Sequence, residues 1–139
     1  MDQPSTAPTM ISLQERRDFL RVRKGSRARF SSLIVEARPT PAEDAQPDTI
    51  RIGFTCTKRL GNAVRRNRTK RRLRAAARDV LSRMGKAGTD YVIIGKIETA
   101  DLPFEQLIGD LEKAVTKVHA PRQNIKSNTR KKTPQTANK

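Results

Sequence analysis

KRLGNAVRRNRTKRRLRAAAR, residues 58–78, holds ten basic side chains and no acidic one in 21 positions. Lys58, Arg59, Arg65, Arg66, Arg68, Lys70, Arg71, Arg72, Arg74 and Arg78 repel one another at helical spacing, so the stretch points to an external polyanion. Gly61 and Asn62 open a helix that runs to about Met84, where Gly85 and Gly88 stop it. Leu73, Ala77, Val80, Leu81 and Met84 recur at helical spacing and predict its buried stripe. That stripe serves only the second half. Around the first two turns Val64 is the sole sizeable apolar side chain, so this end projects into solvent or onto a partner. Asn67, Arg71, Arg74 and Arg78 follow at i, i+4, i+7 and i+11 and predict one continuous polar ridge.

Working outward, strand signals flank the helix. Ile50, Ile52, Phe54 and Cys56 alternate with Arg51, Gly53, Thr55 and Thr57, giving one core face and one small, polar or basic face able to take a ligand close to the backbone. YVIIGKI, residues 91–97, predicts a mostly apolar strand central in a sheet. Pro103 suits the first position of a last helix, and Phe104, Leu107, Ile108, Leu111, Val115 and Val118 form its apolar stripe. Before the basic run, RARFSSLIVEA, residues 27–37, has the content of a strand region. RPTPAEDAQPDT, residues 38–49, interrupts it as a solvated loop of tolerant length.

Toward the N-terminus, Ser12 to Glu15 reads as a capping box. The short helix it opens runs to about Lys24, with Leu13, Phe19, Leu20 and Val22 on its apolar side and Gly25 as a left-handed stop. Residues 1–11 are expected to be a disordered tail, 12–118 an α+β RNA-binding domain, and 119–139 a disordered basic tail. The expected fold is one small sheet of three to four strands packed with three helices, in the order α-β-β-β-α-β-α.

Composition agrees with a polyanionic partner. Lys and Arg number 30 against 14 Asp and Glu, a net charge of +16 over 139 residues, as expected of a protein working against phosphate. Only 35% of residues are hydrophobic, so the core is small and a large enzyme cleft is not expected. A single cysteine, Cys56, precludes an internal disulfide and fits a small hydrophobe on the core face of its strand. No signal peptide and no membrane-length apolar run is read, so the cytoplasm is the expected compartment. The acids are scattered, and His119, the one histidine, is placed at the edge of the tail, so neither catalysis nor a metal site is expected in this chain. Four Phe, one Tyr and no Trp point to recognition of phosphate more than of bases.

TKRLGNAVRRNRTKRRLR, residues 57–74, closely resembles the signature of the bacterial ribonuclease P protein subunit, with Arg-Asn-Arg preceded by Gly-Asn-Ala-Val. The similarity extends over roughly Leu13 to Val118, through Asp18-Phe19, RIGFT at 51–55, DYVIIG at 90–95 and the Pro103-Phe104 helix start. The resemblance implies a protein that is not itself catalytic. A large RNA hydrolyses precursor transfer RNA to remove its 5′ leader, with Mg²⁺ associated with that RNA and the substrate. It also implies that Lys58, Arg59, Asn62, Arg65, Arg66, Asn67, Arg68, Lys70, Arg71 and Arg74 face the catalytic RNA. Phe19, Arg23, Arg51, Thr55 and Thr57 are then expected in a leader-binding cleft between the first helix and the sheet. Arg23 stands where many relatives carry a second aromatic, so charge replaces stacking there. A left-handed strand-helix-strand crossover is likewise implied by the family. The expected partners are the catalytic RNA and precursor transfer RNA, with neither membrane nor DNA. A ribosomal or other structural RNA-binding protein is the alternative. A DNA-binding factor is disfavoured because strands, not a helix-turn-helix partner, precede Asn62.

Overall fold

The computed structural model describes residues 7–57 and 61–120. The expectations for Lys58 and Arg59, for residues 1–6 and for most of the C-terminal tail lie outside the described residues. Five strands and three helices follow in the order β1 (Thr9–Ser12), α1 (Arg16–Arg23), β2 (Ser26–Arg29), β3 (Leu33–Pro39), β4 (Thr49–Cys56), α2 (Ala63–Met84), β5 (Thr89–Gly95) and α3 (Phe104–Val118). One mixed sheet has the order β1-β4-β5-β3-β2. β5 is central as its composition predicts, parallel to β4 and antiparallel to β3. The class is α+β, with one or two more strands than expected.

The strand region read over 27–37 folds into two strands, β2 and β3, joined by a turn at Phe30 to Ser32, so the order from α1 onward is the expected one and the added strand is β1. β1 occupies residues expected to be tail. Its four residues pair in parallel with Thr49 to Ile52, and Leu13 N–H donates to the Ile52 carbonyl at 2.9 Å. Ser12 therefore ends a strand and caps nothing. α1 starts from Glu15, with no side-chain cap bond.

The sheet buries both faces. On one, Ile50, Ile52, Val35, Tyr91 and Ile93 meet Leu73, Ala76, Ala77, Val80 and Leu81 of α2 and Leu107, Leu111, Ala114, Val115 and Val118 of α3. On the other, Val92 packs with Leu13 and Val22, and Phe19 and Ile94 lie at the margin. The alternation in β4 is thus borne out. Thr69 and Ala76 join the α2 stripe, whereas Met84 is only partly buried. Phe104, expected in the α3 stripe, is 40% exposed. It is the first residue of α3.

Gly25 does not adopt the left-handed conformation. It is required by close approach instead, since a Cβ there would come within 2.2 Å of the Ala37 carbonyl oxygen. Gly88 is the left-handed residue, with φ of +79°. Its N–H donates to the Thr49 carbonyl and its carbonyl accepts from Thr40 N–H, both at 2.8 Å. The acidic loop between β3 and β4 is therefore pinned at both ends.

Candidate nucleic-acid interface

α2 begins as its sequence dictates. Gly61 supplies a φ of +88°, and the Asn62 side chain accepts from Arg65 N–H at 2.9 Å, satisfying a donor that has no partner in the first turn. The helix runs 22 residues, about 33 Å. Val64 is 79% exposed, as expected for an end with nothing apolar to bury against.

The basic side chains divide into two rows. Arg65 donates to the Ile97 carbonyl at 3.0 Å and to Asp101 Oδ2 at 2.6 Å. Arg68 Nε donates to the Ala100 carbonyl at 3.1 Å, and Arg72 donates to the carbonyls of Thr99 and Leu102. This row fastens α2 to the 3₁₀ turn Ile97–Ala100 and the residues after it. The Arg65 hydrogen bond also holds the exposed Asp101 carboxyl below its ordinary range. The turn is in turn anchored, with Thr99 Oγ1 donating to the Ser32 carbonyl and Ser32 Oγ donating to Asp110 at 2.7 Å.

The second row is the predicted ridge. Asn67, Arg71, Arg74 and Arg78 are exposed, and among the described residues none of the four has a side-chain hydrogen bond or ion pair. Arg66, exposed, and Lys70, half-buried, stand beside it without such partners. Arg74 lies over the Phe54 ring, 5.8 Å from its centroid. Burial pushes the Cys56 thiol up, opposed by the charges of Lys70 and Arg66, so at neutral pH it is a protonated, half-buried packing group. Of the expected RNA-facing set, Arg66, Asn67, Lys70, Arg71 and Arg74 are free to meet a partner. Arg65 and Arg68 already have one inside the fold.

A cleft of about 380 Å³ opens beside the ridge, lined by Met10 to Leu13, Phe19, Ile52 to Phe54, Arg74, Ala77 and Arg78. Its position follows from the sheet. β1 pairs only with Thr49 to Ile52, so among the described residues no strand covers the outer edge of Gly53 to Cys56. Ile52 turns its carbonyl to that side, and by strand alternation Phe54 and Cys56 turn their amides and carbonyls there too. The cleft thus has an unpaired strand edge as floor, α1 as one wall and the α2 ridge as the other. Phe19 is half-buried within it, directly over Gly53, where a Cβ would come within 2.4 Å of the ring.

The expected cleft residues fare differently. Phe19 lines the cavity. Thr55 is half-buried further along β4 and Thr57 is half-buried just past its end, where Thr57 N–H donates to the Gly95 carbonyl at 3.0 Å. Arg23 is exposed one helical turn beyond Phe19 and does not line the cavity. Arg51 is not available as a free cation. Its Nε and Nη2 donate to Asp90 Oδ1 and Oδ2 at 2.8 and 2.7 Å, and Nη2 also reaches Asp18 at 3.5 Å. The Asp90 hydrogen bond pushes its pKa far above the ordinary value. Met10, Ile11 and Arg78 were not assigned to the cleft from sequence. A four-residue edge strand has too little periodicity to be read, and nothing in the spacing of α2 says that the lower ridge borders a cavity.

His119 is ordered, contrary to its expected place at the edge of a tail. It ends α3 with Nε2 2.6 Å from the Tyr91 hydroxyl and its ring edge-on to Tyr91 at 5.7 Å. Burial and the nearby Lys86 push its pKa below the ordinary value. Among the described residues no group of three or more His, Cys, Asp and Glu side chains is placed to hold a metal. Asp18, Asp44 and Asp90, which share Arg51, are already neutralised by it and by Arg21. That cluster, with its charge already met by arginine, does not fit a metal centre. No helix among them is long and apolar enough to cross a membrane.

The chain is similar to proteins of one family. A profile of the family described as Ribonuclease P matches residues 8–119. The ribonuclease P protein component of Ruegeria pomeroyi is 50% identical over 111 residues, covering 79% of this chain and 87% of that protein. That of Paramagnetospirillum magneticum is 42% identical over 116 residues, covering 82% and 86%. Among solved structures, the RNase P protein of Staphylococcus aureus superposes with a TM-score of 0.60 at 25% identity, covering 76% of this chain and 92% of that one. The RNase P protein of Thermotoga maritima gives 0.57 at 27%, covering 73% and 92%. A sequence and a fold shared with these proteins place the chain in the ribonuclease P protein family, the protein component of a ribonucleoprotein endoribonuclease that matures transfer RNA.

Proposed function

We propose that this chain meets the catalytic RNA along Arg66, Asn67, Lys70, Arg71 and Arg74, with Lys58, Arg59 and Asn62 at the entry to α2, and lays the single-stranded 5′ leader of precursor transfer RNA in the cleft beside them. The carrying observation is the cleft itself: half-buried Phe19 on one wall, Arg74 and Arg78 on the other, and a strand edge with unpaired amides between. A base stacks on an aromatic face while cations and amides meet the phosphates, and such stacking tolerates any sequence. Thr55 and Thr57 extend the floor toward the start of α2, and Arg23 offers charge one turn beyond Phe19.

The chain supplies charge and shape, and the chemistry belongs to the RNA. Mg²⁺ is brought by RNA and substrate. The compartment is the cytoplasm, and neither membrane nor DNA takes part.

The test is the affinity of the complete ribonucleoprotein for precursor against mature transfer RNA. Phe19→Ala is expected to weaken precursor binding by roughly five- to 150-fold, from about 1 to 3 kcal/mol of stacking, and to leave mature transfer RNA unchanged. A large fall in melting temperature with an unchanged precursor-to-mature ratio would overturn the leader assignment.

A further inference from the structure

We infer that Arg51, Asp18 and Gly53 are positioning residues that hold Phe19 in the leader cleft, Arg51 acting as an internal strut and Gly53 as a seat. This inference rests on the proposed role of the cleft.

α1 has eight residues and no side-chain bond at its N-cap, so it is too short to be stable by itself and takes its place from tertiary contacts. Val22 and the preceding Leu13 supply an apolar anchor, which fixes depth but not rotation. Rotation is fixed at Asp18, the residue before Phe19. Asp18 is only 5% exposed, and its Oδ1 lies 3.5 Å from Arg51 Nη2 and 3.3 Å from Arg21 Nη1.

Arg51 can act as a strut because the sheet fixes it first. Asp90, on central β5 and 1% exposed, accepts from two of its nitrogens in the two-pronged arrangement that holds a guanidinium in one plane. Thr40 Oγ1 adds a bond to the same Asp90 at 2.7 Å. The guanidinium is thus rigid before it reaches α1, and the remaining reach of Nη2 sets where Asp18, and with it Phe19, must lie.

Gly53 completes the arrangement two residues along β4, on the same face as Arg51. A Cβ at Gly53 would sit 2.4 and 2.5 Å from Phe19 Cε2 and Cζ, so the ring edge rests against the strand only because there is no side chain beneath it. One strand therefore carries both strut and seat, about 7 Å apart.

The experiment measures the precursor-to-mature affinity ratio in the complete ribonucleoprotein for Phe19→Ala, Asp18→Asn and Gly53→Ala, and for each of the last two combined with Phe19→Ala. Asp18→Asn keeps the side chain's shape and leaves the Arg51–Asp90 pair intact. Gly53→Ala leaves the ion network untouched and decides the matter should Asp18→Asn fail to fold. Each is expected to lower the ratio by roughly two- to tenfold, with no further loss in the Phe19→Ala background. Affinity for the catalytic RNA alone should not move. An unchanged ratio in the folded variants, alongside a lowered one in Phe19→Ala, overturns the positioning role and spares the leader reading. Losses that add fully to Phe19→Ala overturn it as well. An unchanged ratio in Phe19→Ala removes the leader reading and this inference together.

Discussion

Two rows of arginine run along one helix, and they differ in what lies opposite. Arg65, Arg68 and Arg72 face carbonyls of residues 97–102, each within hydrogen-bond reach. Arg71, Arg74 and Arg78, on the order of 120° around the axis by helical spacing, face solvent and the cleft. The same residue type is thus a structural bolt on one side and, among the described residues, left without a hydrogen-bond partner on the other. The difference is the supply of acceptors. The 3₁₀ turn Ile97–Ala100 and the residues after it present a cluster of carbonyls that the fold leaves unused, and three guanidinium groups meet them.

The comparison breaks most visibly in salt. If the ridge and its neighbours displace about six to ten phosphate counterions, RNA affinity should fall by roughly 10³ to 10⁵ between 50 and 200 mM salt, by analogy with duplex DNA. Arg71→Ala should reduce the magnitude of that slope by about one, while unfolding free energy stays within about 0.5 kcal/mol of wild type. An unchanged slope removes Arg71 from the interface.

Arg72→Ala is the mirror case. It deletes charged donors to two backbone carbonyls and should cost about 1.5 to 3 kcal/mol of stability, measured by urea denaturation, with little change in slope. A variant as stable as wild type but with a flattened slope would move Arg72 into the docking row.

Asn62→Ala sharpens the boundary between the rows. Loss of the cap should cost about 1 kcal/mol, seen as fraying of the first turn by hydrogen exchange. It should weaken RNA binding through loss of the Asn62 side chain and as Arg66 and Asn67 lose their fixed direction.

The smallest effect is far from both rows. The pKa of His119 is held below its ordinary value in the fold, so the unfolded chain takes up the proton first as pH falls below about 6.5. Stability attributable to this group is therefore present above that pH and declines beneath it. The Tm difference between wild type and His119→Gln should be constant from pH 7.5 to about 6.5 and shrink toward pH 5. A constant difference throughout would show that the ring does not titrate differently in the two states.

Much of the fold was legible because periodicity and stop signals are local. The start of α2 at Asn62, its end at Met84, the alternation of β4 and the central place of β5 all follow from residue spacing. β1 was not legible, since four residues beside two prolines carry no pattern, and its pairing depends on β4 offering a free edge. The division of the arginines was hidden for a different reason. Their acceptors are main-chain carbonyls about 30 residues away, which have no signature in the sequence. Arg51 misled similarly. Its face of β4 is polar as expected, but the partner that occupies it, Asp90, opens the DYVIIG strand and pairs opposite Arg51 only once β4 and β5 are in register.

The edge of β4 that no described strand covers bears on whether copies of the free protein pair with one another. An open strand edge is a template on which a second chain can pair, and sheets commonly protect such edges with charge. Here Arg74 and Arg78 stand at that edge, on a chain of net charge +16, so an approaching copy meets like charge before it meets a free amide. The barrier is electrostatic and weakens with salt. The arginines placed to meet a polyanion therefore also oppose self-association by charge, and neutralising them without supplying RNA should favour strand-to-strand pairing of copies.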